Sequence, residues 1–142
     1  MLTEQVEIEI NLSSTWWNTP PRCKVWIGNE VVLQSSEIKE PTKIVWKGNL
    51  SEGAQSIRIA LFDKDSKSET ILDETGKLIK DQLLHIDSIS IDEINLDSML
   101  HTHGKFLAED GRSVDSIINM GWNGTWSLEF QVPVYIWLLE NM

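Results

Sequence analysis

A chain of 142 residues with 41% hydrophobic and 24% charged residues is long enough to bury a core and too apolar to be disordered throughout. The formal charge of −10 argues against nucleic-acid binding and against anionic membrane surfaces, since both need clustered Lys and Arg. A single cysteine rules out an internal disulfide, and seven tryptophans are the departure from ordinary composition.

The opening MLTEQVEIEI has no basic region followed by an apolar run, so no signal peptide is expected, and the alternation of a strand is already present in it. QVEIEINL (5–12) places Val6, Ile8, Ile10 and Leu12 on one side and Gln5, Glu7, Glu9 and Asn11 on the other, the pattern of a half-buried strand. The polar, proline-ended SSTWWNTPP follows. RCKVWIG then alternates Cys23, Val25 and Ile27 with Arg22, Lys24 and Trp26, and the turn signal GNE makes residues 22–34 a predicted hairpin. Further strands are expected at TKIVWKG (42–48) and, after SEGAQ, at SIRIALF (56–62). DKDSKSETILDETGKLIKD (63–81) has charge of both signs and no clean period, and is expected to be a long loop with one short helical turn.

In QLLHIDSISIDEINL (82–96) the apolar residues change parity between Ile86 and Ile89, which predicts a β-bulge or burial on both faces. MLHTHGKFLAEDGRSVDS (99–116) reads as another long connection. From Trp126 the alternation is strict, with Leu128, Phe130, Val132, Val134 and Ile136 expected inward; Pro133, on the outward set, suggests an edge position or a bend. The longest apolar run, VPVYIWLL, is far short of the ~20 residues of a membrane-spanning helix. About seven or eight short strands without sustained helical periodicity predict an all-β fold, a single antiparallel β-sandwich of jelly-roll type over residues 1–142.

The pair IRIALFDKD (57–65) and DQLLHIDSISID (81–92) resembles the strand pair of calcium-dependent, xylan-binding carbohydrate-binding modules, in which a hydrophobic strand ends in Asn-Asp and a second opens with Asp-Arg-Asn-Leu. The resemblance implies a carbohydrate-binding-module-like fold and, carried over by position, calcium held at Asp65, Asp81 and Asp87. The chain departs from the pattern at Lys64, Gln82 and Leu83, where Asn, Arg and Asn are expected. GWNGTWSLEFQVPVYIW (121–137) and KEPTKIVWKGNLSEGAQSIRIALF (39–62) are similar to small β-sandwich proteins of T4-like phages, some described as carbohydrate-binding-module-like. That likeness implies a virion component assembled in the host cytoplasm.

Among the aromatics, Trp16 and Trp17 in a loop and Trp122 in the Gly121 to Gly124 turn are the candidates to stack on sugar rings, which present flat C–H faces to an indole. Consecutive side chains of an extended segment point opposite ways, so one of Trp16 and Trp17 is expected buried and the other free. Trp46, Trp126 and Trp137 are expected to pack, and the alternative that all seven serve the core or an interface stays open. Asp63, Asp65, Asp73, Asp81 and Asp87 are the candidate oxygen donors for calcium, against the plainer reading of a solvated acidic face.

His101 and His103, on one face if their segment is a strand, with Glu109 following, make a weaker cupin-like alternative. His85 and Cys23 read as structural. The expected function is therefore non-enzymatic: a phage-encoded virion accessory protein of a tail, baseplate or capsid surface, docking on other virion proteins or on itself. The alternative is an active glycan-binding module that stacks polysaccharide on exposed Trp, with or without calcium, and neither reading involves nucleic acid or membrane.

Overall fold

A computed structural model describes residues 2–115 and 117–141 of the chain. The first alternating stretch forms β1 (Thr3–Thr15), with Val6, Ile8, Ile10 and Leu12 fully buried. The expected hairpin is β2 (Arg22–Ile27) and β3 (Glu30–Glu37), turning through Gly28 at φ 59°, a left-handed value that glycine reaches without a Cβ penalty. β4 (Thr42–Ser51) and β5 (Gly53–Phe62) follow. The charged stretch after β5 holds the expected helical turn, α1 (Ser66–Glu69), and also a small hairpin of β6 (Ile71–Leu72) and β7 (Leu78–Lys80).

β8 (Leu83–Ile91) runs antiparallel to β1, and its register explains the parity change. Asn11 pairs with Ser88 and Leu12 with Ile86, so Asp87 is the extra residue of a bulge. With one residue stepped over, Leu84 and Ile86 before it and Ile89 and Ile91 after it all face the core. β9 (Ile94–Asn95) returns along β8 through Asp92 and Glu93, both left-handed, at φ 50° and 69°.

Residues 99–116, expected to be a connection, contain most of α2 (Asp97–His103), β10 (Gly104–Ala108) and β11 (Ser113–Asp115). Ser116, the last of that stretch, lies outside the described residues. β12 (Asn119–Met120) and β13 (Gly124–Val132) complete the strands. β13 ends earlier than its alternation predicts, and Ile136 is exposed rather than inward. Pro133 has no N–H for the ladder and its fixed φ suits a helix start, so the chain leaves the sheet into α3 (Val134–Asn141). There Val134, Trp137 and Leu138, spaced i, i+3, i+4, are the buried side.

Among the described residues all ten strand pairings are antiparallel. One sheet has the order β12-β8-β1-β4 with β9 also on β8, and the other the order β11-β10-β13-β5-β2-β3. Their inward residues, among them Ile8, Ile10 and Ile89 from the first sheet and Ile59, Phe106, Trp126 and Phe130 from the second, join in one apolar core. The protein is thus an all-β antiparallel sandwich, the architecture that the alternation predicts. Among the described residues no helix is long and apolar enough to cross a membrane.

Candidate ligand-binding site

The register brings several loops to one end of the sandwich. Thr15 at the end of β1 pairs with Leu83 at the start of β8, Phe62 at the end of β5 pairs with Arg22 at the start of β2, and Leu61 pairs with Gly124 at the start of β13. The connections 16–21, 63–82 and 121–123 therefore meet there, and they carry Trp16, Trp17, Asp65, Asp81 and Trp122.

At their centre is Lys64, the residue that follows Asp63 at the end of β5. Its side chain is 1% exposed, and its ammonium donates to Asp81 Oδ1 at 2.7 Å and to the Gly121 carbonyl at 2.5 Å. Its backbone is held as well, with Lys64 N–H donating to Asn123 Oδ1 at 2.9 Å and Asn123 Nδ2 donating back to Lys64 O at 3.0 Å. Asp81 Oδ1 also accepts from Thr70 Oγ1 at 2.7 Å and from the Gln82 N–H at 2.8 Å. Burial pushes the Asp81 carboxyl up, but the hydrogen bonds from Lys64, Thr70 and Gln82, with the Lys64 charge, outweigh it and hold the group below the usual carboxylate value.

Oδ1 takes all of these bonds, and among the described residues no hydrogen bond reaches Oδ2 of Asp81. Asp81 lines a recess of about 430 Å³ together with Ser66, Thr70, Leu78, Leu83, Asn119, Gly121 and Trp122. On its rim, His85 Nδ1 lies 2.6 Å from Asn119 Oδ1, and His85 Nε2 lies 2.7 Å from Thr15 Oγ1. With Asn119 Oδ1 as acceptor, Nδ1 carries the imidazole proton, and this bond does not use the Asn119 amide N–H groups.

The three candidate tryptophans are all half-exposed, Trp16 at 39%, Trp17 at 41% and Trp122 at 46%. The expectation that one of Trp16 and Trp17 is buried fails because each indole is anchored by its N–H: Trp16 Nε1 donates to Lys39 O at 3.2 Å and Trp17 Nε1 to Glu69 O at 2.9 Å. The Arg112 guanidinium lies 5.0 Å from the Trp122 ring centre, and the Lys80 ammonium 4.8 Å from that of Trp17. A cation against one face of an indole leaves the other for a ligand. The hub also links Trp17 to Trp122: the carbonyl under Trp17 belongs to Glu69, the next residue, Thr70, bonds Asp81, and the Lys64 ammonium on Asp81 reaches Gly121 beside Trp122. Trp16 is held separately, by Lys39, two residues past the end of β3.

Behind Trp17 lies a second polar cluster. Glu69 is buried, its Oε1 accepts from Thr19 Oγ1 and from Asn18 Nδ2, and Gln82 Nε2 donates to Thr19 O at 2.9 Å. Glu69 Oε2 and Gln82 Oε1 are buried with no hydrogen-bond partner among the described residues.

Of the residues expected to hold calcium, only Asp81 is in the hub. Asp65 caps α1, accepting from Lys67 N–H at 3.1 Å and Ser68 Oγ at 2.9 Å, and Asp87 is exposed at the β8 bulge. Asp63 is exposed, and Asp73 organises the β6–β7 turn through Thr75 and Lys77. Calcium takes six to eight oxygen ligands. Asp65, Asp81 and Asp87 do not assemble such a set, and the oxygen of Asp81 that points into the cluster already holds an ammonium. Among the described residues no three His, Cys, Asp or Glu converge as a metal site.

His101 and His103 lie on helix α2 rather than a strand, so residues two apart diverge around the axis; His103 bonds Thr102 and Asn141 and stands edge-on to Trp137. The expected packing tryptophans do pack: Trp126 and Trp137 are buried, and half-buried Trp46 donates to Glu30 Oε2 at 2.5 Å. Thr70, Asn119 and Arg112 were not singled out by sequence, since nothing local distinguishes them from other surface polar residues. Lys64 carried a signal, a lysine between two aspartates at the end of an apolar strand.

No protein-family model matches the sequence, and no curated protein sequence matches it. The fold is similar to a solved structure described as "vCBM60 in complex with galactobiose", at 13% identity and a TM-score of 0.50, over 86% of this chain and 96% of that one. This likeness establishes that the sandwich is carbohydrate-binding-module-like.

Proposed function

We propose that this chain is a non-catalytic carbohydrate-binding module that takes a sugar at the recess beside Trp122. The observation that carries the reading is the half-exposed Trp122 indole lining the recess together with Asp81 and Asn119. An apolar ring face beside an acceptor and a donor matches a sugar, which has a C–H face and a rim of hydroxyl groups. The similarity in fold to a module bound to galactobiose supports the same assignment.

Binding without catalysis is supported by the lining. Glycoside hydrolysis by the usual routes uses two carboxyl groups across the bond, and Asp81 is the one carboxylate among the described residues that line this recess. The test is a glycan array on the isolated protein, followed by titration of tryptophan fluorescence with the best glycan. Trp122→Ala is expected to abolish the response while leaving the unfolding temperature unchanged. Failure of every polysaccharide, or full binding by the variant, would overturn the reading.

A second reading, a virion accessory protein that docks on partner chains, is favoured by α3. Tyr135, Ile136 and Leu139 are each more than half exposed on a helix whose other side packs on the core. It predicts that Ile136→Asp leaves the monomer folded but removes it from native particles.

A further inference from the structure

Lysine is almost never fully buried unless it is paired, and Lys64 is paired from several directions at once. The Asp81 carboxylate and the Gly121 carbonyl converge on its nitrogen, Thr70 and the Gln82 N–H share the same carboxylate oxygen, and Asn123 clamps the Lys64 backbone. These partners come from four separate places in the chain: the end of β5, the residue after α1, the start of β8, and the turn before β13. A cation that gathers oxygens from several loops is the usual work of a bound metal ion. Here the positive charge is covalently attached, and it balances the partly buried Asp81 carboxylate it touches. A calcium ion at about 2.4 Å from Asp81 Oδ1 would have to share that oxygen with a like charge already 2.7 Å away.

We propose that Lys64 supplies the cation of this site from within the chain, tying the Trp17 and Trp122 loops around Asp81 without a bound metal ion. Lys64 is in this sense a positioning residue. Its side chain is shut away from solvent, so it acts on a ligand through the placement of Trp122, Gly121 and Asp81. The assignment deepens the carbohydrate-binding reading of the recess, but its test needs no sugar.

The protein, labelled with ¹⁵N and treated with EDTA, is titrated with calcium chloride alone up to about 10 mM, beyond the weakest affinities of extracellular calcium modules. The indole N–H resonances of Trp17 and Trp122 and the unfolding temperature are expected to stay unchanged. Lys64→Met is expected to lower the unfolding temperature and to move the Trp17 and Trp122 resonances while leaving that of Trp137, on α3, in place. Lys64→Met with Asp81→Asn, which removes both charges, is expected to recover part of the lost stability, and it serves also if the single variant does not fold. A calcium-dependent shift of those two resonances, or a rise in unfolding temperature with calcium, would overturn the proposal. So would Lys64→Met leaving both resonances in place, or a double variant no more stable than the single one. Calcium indifference combined with failure to bind any glycan would sink the carbohydrate reading and leave this one standing.

Discussion

Asp81→Asn isolates the charge at the loop end of the sandwich without changing its shape. The amide oxygen can still accept from Thr70 Oγ1 and the Gln82 N–H at the places where Oδ1 accepts them now, 2.7 and 2.8 Å away. What is lost is the negative charge facing the Lys64 ammonium, on a side chain 1% exposed, while the Asp81 side chain is only 14% exposed. Removing one partner of a buried pair leaves the other uncompensated, at a cost of about 3 kcal/mol. For a chain of this size that corresponds to a fall in unfolding temperature of roughly 10 °C.

The pH dependence supplies the sign. The Asp81 carboxyl titrates below its ordinary value of 3.8 in the folded protein, so its contribution is complete well above that value and is lost as pH falls through the folded value. Thermal unfolding of wild type and variant, followed by circular dichroism from neutral to strongly acidic pH, should show a wide gap at pH 7 that closes in acid. There the wild type has protonated the same group and lost the same charge. A gap under about 2 °C at neutral pH, or one that persists undiminished in acid, would refute the assignment of this charge to the folding of the site.

Glu69→Gln should raise stability by about 1 kcal/mol in urea unfolding, because it removes a buried carboxylate oxygen that has no donor among the described residues; a loss of stability would contradict this. Gly124→Ala should lower stability by about 2 kcal/mol or more, since a Cβ there would lie 2.5 Å from Leu107 O and 2.8 Å from Ala108 Cα, backbone atoms that cannot step aside; differential scanning calorimetry checks it. Burial pushes the Cys23 thiol up to about 12, so at pH 8 a disulfide reagent should find no reactive thiol in the native protein and one after denaturation.

The sandwich was legible where side chains repeat with period two over five or more residues. Val6 to Leu12, Cys23 to Ile27, Ile57 to Leu61 and Leu128 to Val132 face the core as their alternation requires. Even the bulge at Asp87 was readable, as a change of parity between Ile86 and Ile89. Short elements were not. β10 offers only Phe106 and Ala108 as inward side chains besides a glycine, and α3 continues the letters of a strand until proline and helical spacing turn it aside. The site was legible only in part. The exposed aromatics could be named, but the hub joins Lys64 to Asp81 and Gly121 across 17 and 57 residues of sequence, and no local pattern announces such a meeting. The same geometry explains why the aspartates expected to hold calcium do not act together: Asp65 serves the nearest helix end and Asp87 is the exposed extra residue of the β8 bulge.

The hairpin of β6 and β7 hydrogen-bonds as a two-stranded sheet of its own, outside both layers of the sandwich. Leu72, Leu78 and Ile79 project from it with more than half or about half of their surface in water, and Leu78 reaches the recess. Its residues can therefore be exchanged, lengthened or trimmed between Asp73 and Lys77 without moving any register in the layers beneath. A library randomised in that one appendage would retune which molecules are accepted while the scaffold keeps its melting behaviour, making it the natural handle for redirecting this protein.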